Sequence, residues 1–154
     1  MTARCLITTL ELPRCCPEMK GHDAEKLARV LVQCPALAHL DLSDNSDFGA
    51  GGAERLAGVL GQCRELVHLN LNGNCIGDPG AECFAGVLGQ CRVLAHLDLS
   101  YNGIKAAGAG RLAGVLPQCR ARFATRPGGA VVWSCWLVTC LASLVKKPCE
   151  EGDF

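Results

Sequence analysis

Three histidines stand at equivalent places along the chain, His39, His68 and His96. Two residues after each comes an acid or an amide, Asp41, Asn70 and Asp98, and two further on a small polar residue, Ser43, Asn72 and Ser100. Imidazole, carboxylate and hydroxyl together are the ingredients of metal ligation, of a contact that titrates near about pH 6–7, and of nucleophilic catalysis. A spacing of two keeps such side chains on one face of an extended strand. Parallel strands would then turn the three sets into three ladders with rungs about 4.8 Å apart. Ladders of like side chains also follow automatically from duplication of a unit, so plain solvated surface is the competing reading. Catalysis needs in addition a pocket, an orienting hydrogen bond and an oxyanion site, which an open sheet does not supply. The expectation is a non-enzymatic contact face for a protein partner, formed by these nine residues and Tyr101, with no metal or other cofactor.

The elements that carry these residues come from self-similarity. Leu37-Ala38-His39-Leu40-Asp41-Leu42-Ser43-Asp44-Asn45 recurs at Leu66–Asn74 and again at Leu94–Asn102. Asn45 to Asn74 is 29 residues and Asn74 to Asn102 is 28. A weaker copy precedes them, with Ile7, Leu10 and Leu12 at the leucine places and Cys15 at the asparagine place. The second half of each unit has helical spacing. Ala53, Leu56, Val59 and Leu60 form a stripe that is matched by Ala24, Leu27, Val30 and Leu31, by Ala81, Phe84, Val87 and Leu88, and by Ala109, Leu112, Val115 and Leu116. Gly52, Gly80 and Gly108 are read as standing just before their helices, easing a tight turn. Gly58, Gly86 and Gly114 fall inside the helices, where close packing between neighbours is the expected reason. A strand–loop–helix unit cannot hide its apolar face alone, so stacking must hide it, with strands parallel and crossovers right-handed. Asn45, Asn74 and Asn102 then mark buried turns whose backbone groups their amides can satisfy.

The pattern L-x-x-L-x-L-x-x-N at this period resembles a leucine-rich repeat of the ribonuclease-inhibitor type. The stretch from Leu97-Asp98-Leu99-Ser100 through Asn102 and Ile104 to Gly108, Ala109, Leu112 and Ala113 is most similar to the C-terminal repeats of NOD-like (nucleotide-binding, leucine-rich-repeat) innate immune receptors, with Lys105 where that family usually has glycine. The resemblance covers roughly residues 7 to 120. It implies an α/β fold, a short leucine-rich-repeat solenoid (a horseshoe segment) with parallel strands on the concave side and helices on the convex side. It also implies a ligand-sensing or regulatory region of an intracellular receptor, here as a fragment or truncated isoform. Two other roles stay open: an inhibitor or regulator of a nuclease or small GTPase, as ribonuclease inhibitor is, and a membrane-tethered interaction protein.

Composition bounds these readings. Fifteen basic residues balance fifteen acidic ones in 154, and hydrophobic residues reach 49%. That excludes an intrinsically disordered chain and leaves no net positive charge to capture nucleic acid. There is no G-x-x-x-x-G-K-[ST], which excludes nucleotide hydrolysis by a P-loop; Gly49-Ala50-Gly51-Gly52 lacks the lysine and belongs to a repeat loop. Twelve cysteines raise the question of disulfides, but no C-x-x-C occurs and Met1-Thr2-Ala3-Arg4-Cys5-Leu6-Ile7 has no signal-peptide character. Cys34, Cys63, Cys91 and Cys119 share one repeat position and are expected to be reduced core thiols in a cytoplasmic protein. Glu25, Lys26, Arg29, Glu54, Arg55 and Arg111 read as a solvated convex surface.

The domain reading is a degenerate N-terminal repeat over 1–22, repeats of 28–29 residues over 23–120, and a non-repeat apolar tail over 121–154. The next strand would need apolar residues at Arg122, Thr125 and Pro127, and none fits. The tail has three readings: a cap on the open end of the solenoid, an extension from an altered gene end or splice event, or a membrane segment through 130–145. Sixteen residues fall just short of the roughly 17–25 that usually span a bilayer.

Overall fold

The computed structural model describes residues 6–14 and 21–115. Strand and helix alternate throughout: β1 (Thr9–Glu11), α1 (Gly21–Val32), β2 (His39–Asp41), a 3-10 turn (Ser46–Phe48), α2 (Gly49–Leu60), β3 (His68–Asn70), α3 (Gly77–Leu88), β4 (His96–Asp98) and α4 (Ala106–Val115). The strands form one parallel sheet in sequence order, β1-β2-β3-β4. Register follows the repeat: Leu10, Leu40, Leu69 and Leu97 are successive partners, as are His39, His68 and His96. The helices form a second layer, each packed on the next. Strands sit about 4.8 Å apart and helices about 8–10 Å apart, so the stack bends toward its sheet side, which is the concave one.

The core lies between the layers. Leu37, Leu40 and Leu42, with their counterparts Leu66, Leu69 and Leu71 and then Leu94, Leu97 and Leu99, are all buried. In the degenerate unit Leu10 and Leu12 are only partly buried, and Ile7 is exposed. Phe48, Ile76 and Ile104 fill the corner where each loop turns into its helix. The helices contribute Ala24, Leu27, Ala28 and Leu31 in α1 and Ala53, Leu56, Ala57 and Leu60 in α2.

Three sequence expectations change here. The valine six residues into the stripe is not a core position in every unit: Val30 is 50% exposed, whereas Ala28 is buried. At about 100° per residue the sixth step lies about 120° off the first residue, and the fourth step only about 40°. Val87 is buried and Val59 half-buried, as suits the edge of the stripe. Gly52, Gly80 and Gly108 do not precede their helices but stand inside the first turn. What demands glycine there is space: a Cβ on Gly80 would lie 2.3 Å from Ile76 Cγ2 and 2.8 Å from Ala53 Cβ. The left-handed backbone falls instead on Gly49 and Gly77, at the helix starts. Finally, a Cβ on Gly58, Gly86 or Gly114 would meet nothing within 4 Å, so close helix packing does not explain these glycines.

The asparagine reading holds in detail. Asn74 Nδ2 donates to the carbonyls of Leu42 (2.9 Å), Leu71 (2.8 Å) and Asn72 (3.0 Å). Asn102 repeats this on Leu71, Leu99 and Ser100, and Asn45 on Leu12, Leu42 and Ser43. Each side chain therefore ties its own turn to the preceding unit. Asn102 Oδ1 also accepts from Asn74 N and Ile76 N. Asn74 Oδ1 has no such donor. The 29-residue unit has one extra residue between Asn45 and Phe48, taken up by the 3-10 turn, so its backbone runs differently past Asn74.

Cys34, Cys63 and Cys91 are buried thiols, not disulfides. Among the described residues no helix is long and apolar enough to cross a membrane. Leu116, Cys119 and the tail 121–154, with its apolar run 130–145, lie outside the described residues.

Candidate functional site

The side chains flanking each inner leucine project away from the helices, because a strand alternates its faces. The buried residue in β2, β3 and β4 is the central leucine, with its neighbours half-buried or exposed. The first two sets, His39, His68 and His96 and then Asp41, Asn70 and Asp98, thus stand in register on the side of the sheet away from the helices. His68 and His96 stack with ring centroids 4.0 Å apart and planes at 11°, while His39 and His68 are 5.1 Å apart and tilted by 33°. Stacked rings point their nitrogens along parallel planes rather than at a common centre. Among the described residues no group of His, Cys, Asp or Glu is arranged to hold a metal ion.

The second ladder also serves the backbone. Asp41 Oδ1 accepts from Ser43 N (2.8 Å), Asn70 Oδ1 from Asn72 N (3.1 Å) and Asp98 Oδ1 from Ser100 N (2.8 Å). This repeated turn ends each strand and orients the side chain that makes it. Across the ladder, Asn70 Nδ2 donates to Asp41 Oδ2 at 2.9 Å. Ser43, Asn72 and Ser100 follow in the loops, and Tyr101 is 51% exposed beside them. Tyr101 has a left-handed backbone, a conformation it shares with Arg14 and Asp44 at the same repeat position, where the middle unit has Gly73. For an aromatic residue that conformation is unusual.

Electrostatics follow from these contacts. Burial alone would push the Asp41 carboxyl up, but hydrogen bonds from the Ser43 side chain and backbone and from Asn70, with the nearby charge of His39, hold it below the ordinary carboxylate value. His68 is held below its ordinary 6.5 by burial and by the charges of His96 and His39 on either side. Burial pushes the Cys63 thiol up, which disfavours the reactive thiolate.

Within the ladders, serine and histidine do not stand side by side. Ser43 lies four residues beyond His39, roughly 13 Å of extended chain at about 3.3 Å per residue. A nucleophile and its base must meet within about 3 Å. The convex charges pair with one another at the surface: Arg29 with Glu25 (2.7 Å), Arg55 with Glu25 (3.3 Å), Lys26 with Asp23 (3.2 Å) and Arg111 with Glu82 (3.5 Å).

Two members of the face escaped the sequence reading. Thr9 pairs with His39 and Glu11 with Asp41, so β1 adds a fourth rung to the first two rows. The spacing of 30 from Leu10 to Leu40 carried that information, since it aligns Glu11 with Asp41 directly. A third residue, Asp78, acts between units: its Oδ1 accepts from Lys105 N (2.7 Å) and Gly108 N (3.0 Å) and so caps the next helix.

Three segments of the chain, 33–57, 62–85 and 90–113, match the family model described as Leucine Rich repeat. Each segment spans one concave strand and most of the helix that follows. A comparison with curated proteins finds no match for the chain.

Proposed function

Because three of its four stacked units are leucine-rich repeats, we propose that this chain is a non-enzymatic protein-binding module whose contact face is the concave sheet. The observation that carries the reading is the histidine ladder. Three imidazoles stand in register at the surface, and no described side chain hydrogen-bonds to them, so their nitrogens are open to a partner. Asp41, Asn70 and Asp98 form a second row beside them, Ser43, Asn72 and Ser100 a third, and Tyr101 supplies an exposed aromatic of the kind that anchors interfaces. The helix face offers less, since its charges are mutually paired and solvated.

The finer reading rests on the resemblance to NOD-like receptor repeats. On that reading the module is the sensing or regulatory region of a cytoplasmic innate immune receptor, present as a fragment or truncated isoform. The inhibitor and membrane-tethered roles gain no specific support from the described residues.

The test is affinity capture with the wild type, a His39→Ala, His68→Ala, His96→Ala variant, and a convex control, Glu25→Ala with Arg55→Ala. Proteins held by the wild type should be lost by the ladder variant and kept by the control. A ladder variant that is folded by circular dichroism and keeps every partner overturns the concave assignment.

A further inference from the structure

Resting on the docking reading, we infer that the His39–His68–His96 ladder makes the concave face proton-sensitive: acidification charges the ladder and releases a partner that docks at neutral pH. The geometry supplies the coupling. Strict parallel register holds the three rings in one row, at 4.0 Å and 5.1 Å between neighbouring centroids. A proton on one imidazole therefore opposes a proton on the next. His68 has a neighbour on both sides, while His39 and His96 have one each. The lowered affinity of His68 for its proton agrees with that central place between two rings.

The charged groups facing the ladder set the direction of the effect. From β1 come Thr9, which is neutral, and Glu11; from β2, Asp41; from β3, the neutral Asn70; from β4, Asp98. The loops leading into β3 and β4 carry Arg64, Glu65 and Arg92, all exposed. At neutral pH the rows themselves hold three carboxylates beside the imidazoles. The complementary occupant is a protein segment bearing basic or hydrogen-bond-donor groups. Each proton taken up offsets one carboxylate and leaves a cation to be desolvated beneath the partner. Binding of such a partner must then expel protons. Its affinity should fall about tenfold per pH unit for each proton expelled.

Two measurements on the full chain test this. In an NMR titration of the imidazole Cε1–H signals from pH 8 to 5, the His68 midpoint should lie below its ordinary 6.5. In the His39→Gln, His96→Gln variant the His68 midpoint should rise toward that value. In parallel, proteins retained by the wild type at pH 7.5 should be shed at pH 5.5, while circular dichroism shows the chain still folded at that pH. A His68 midpoint at its ordinary value, or one that ignores the loss of both neighbours, overturns the coupling. Retention that survives pH 5.5 in the wild type overturns the release. Coupled titration with no protein retained at pH 7.5 overturns the docking reading itself.

Discussion

At the scale of single residues, the asparagines show how much one side chain can hold. Asn74 Nδ2 and its counterpart in Asn102 each serve three carbonyls, and both residues are fully buried. Asn102→Ala removes donors from Leu71, Leu99 and Ser100 and an acceptor from Asn74 and Ile76. It should cost about 3 kcal/mol or more, given about 1–3 kcal/mol for each buried polar group left unpaired, and urea denaturation would measure it. Asn74→Ala should cost less, because Asn74 Oδ1 is already without a donor. Residues also set the response to pH. His68 is a base whose affinity for protons is lowered by folding, so its contribution to stability is complete above 6.5 and is lost as pH falls through its folded midpoint. Asp41 is an acid shifted the same way, so its contribution is present above 3.8 and is lost on further acidification. The urea midpoint should therefore drop in two stages below neutrality, and Asp41→Asn should flatten the second. A urea midpoint that stays constant from pH 7.5 to 3 contradicts both assignments. Cys34, Cys63 and Cys91, being buried, should resist alkylation until the protein unfolds.

At the scale of elements, the helix glycines fall into two kinds that look identical in sequence. Gly86 lies on the exposed side of α3 with open space around it, so Gly86→Ala should stabilise by about 1 kcal/mol through helix propensity. Gly80 lies in the same helix against Ile76 and Ala53, so Gly80→Ala should destabilise despite the same propensity gain. Thermal melts of the pair should move in opposite directions. Periodicity located both glycines on a helix but could not say which side faces the neighbouring unit. The valines teach the same lesson, since their spacing fitted a stripe whose edge only the packed helices define: Val30 is open to water and Val87 is covered.

At the scale of the whole molecule, each unit contacts only its neighbours, so stability is a sum of units and interfaces. The middle of the stack is therefore its most sensitive point. Leu69→Ala, at the centre of β3 between β2 and β4, should cost about 2–5 kcal/mol. The same change at Leu10, which is only partly buried in the terminal strand β1, should cost less. A denaturation series on the two variants compares them directly, and equal losses would contradict a stacked architecture.

Repetition made the architecture legible before any coordinates. Identical words at intervals of 28 and 29 residues impose identical local structure, and only parallel stacking buries their leucines. The three ladders, the asparagine turns and the core cysteines all follow from that one constraint, because a repeated residue in a repeated unit has a repeated environment. What the packed structure decided is where repetition is imperfect or where neighbours meet: the added residue before Phe48, the orphaned oxygen of Asn74, the reach of Asp78 into the next helix, and the tight pairing of His68 with His96 against the looser one with His39. Those depend on distances between units far apart in the chain, and a linear pattern carries the order of residues without the space between them.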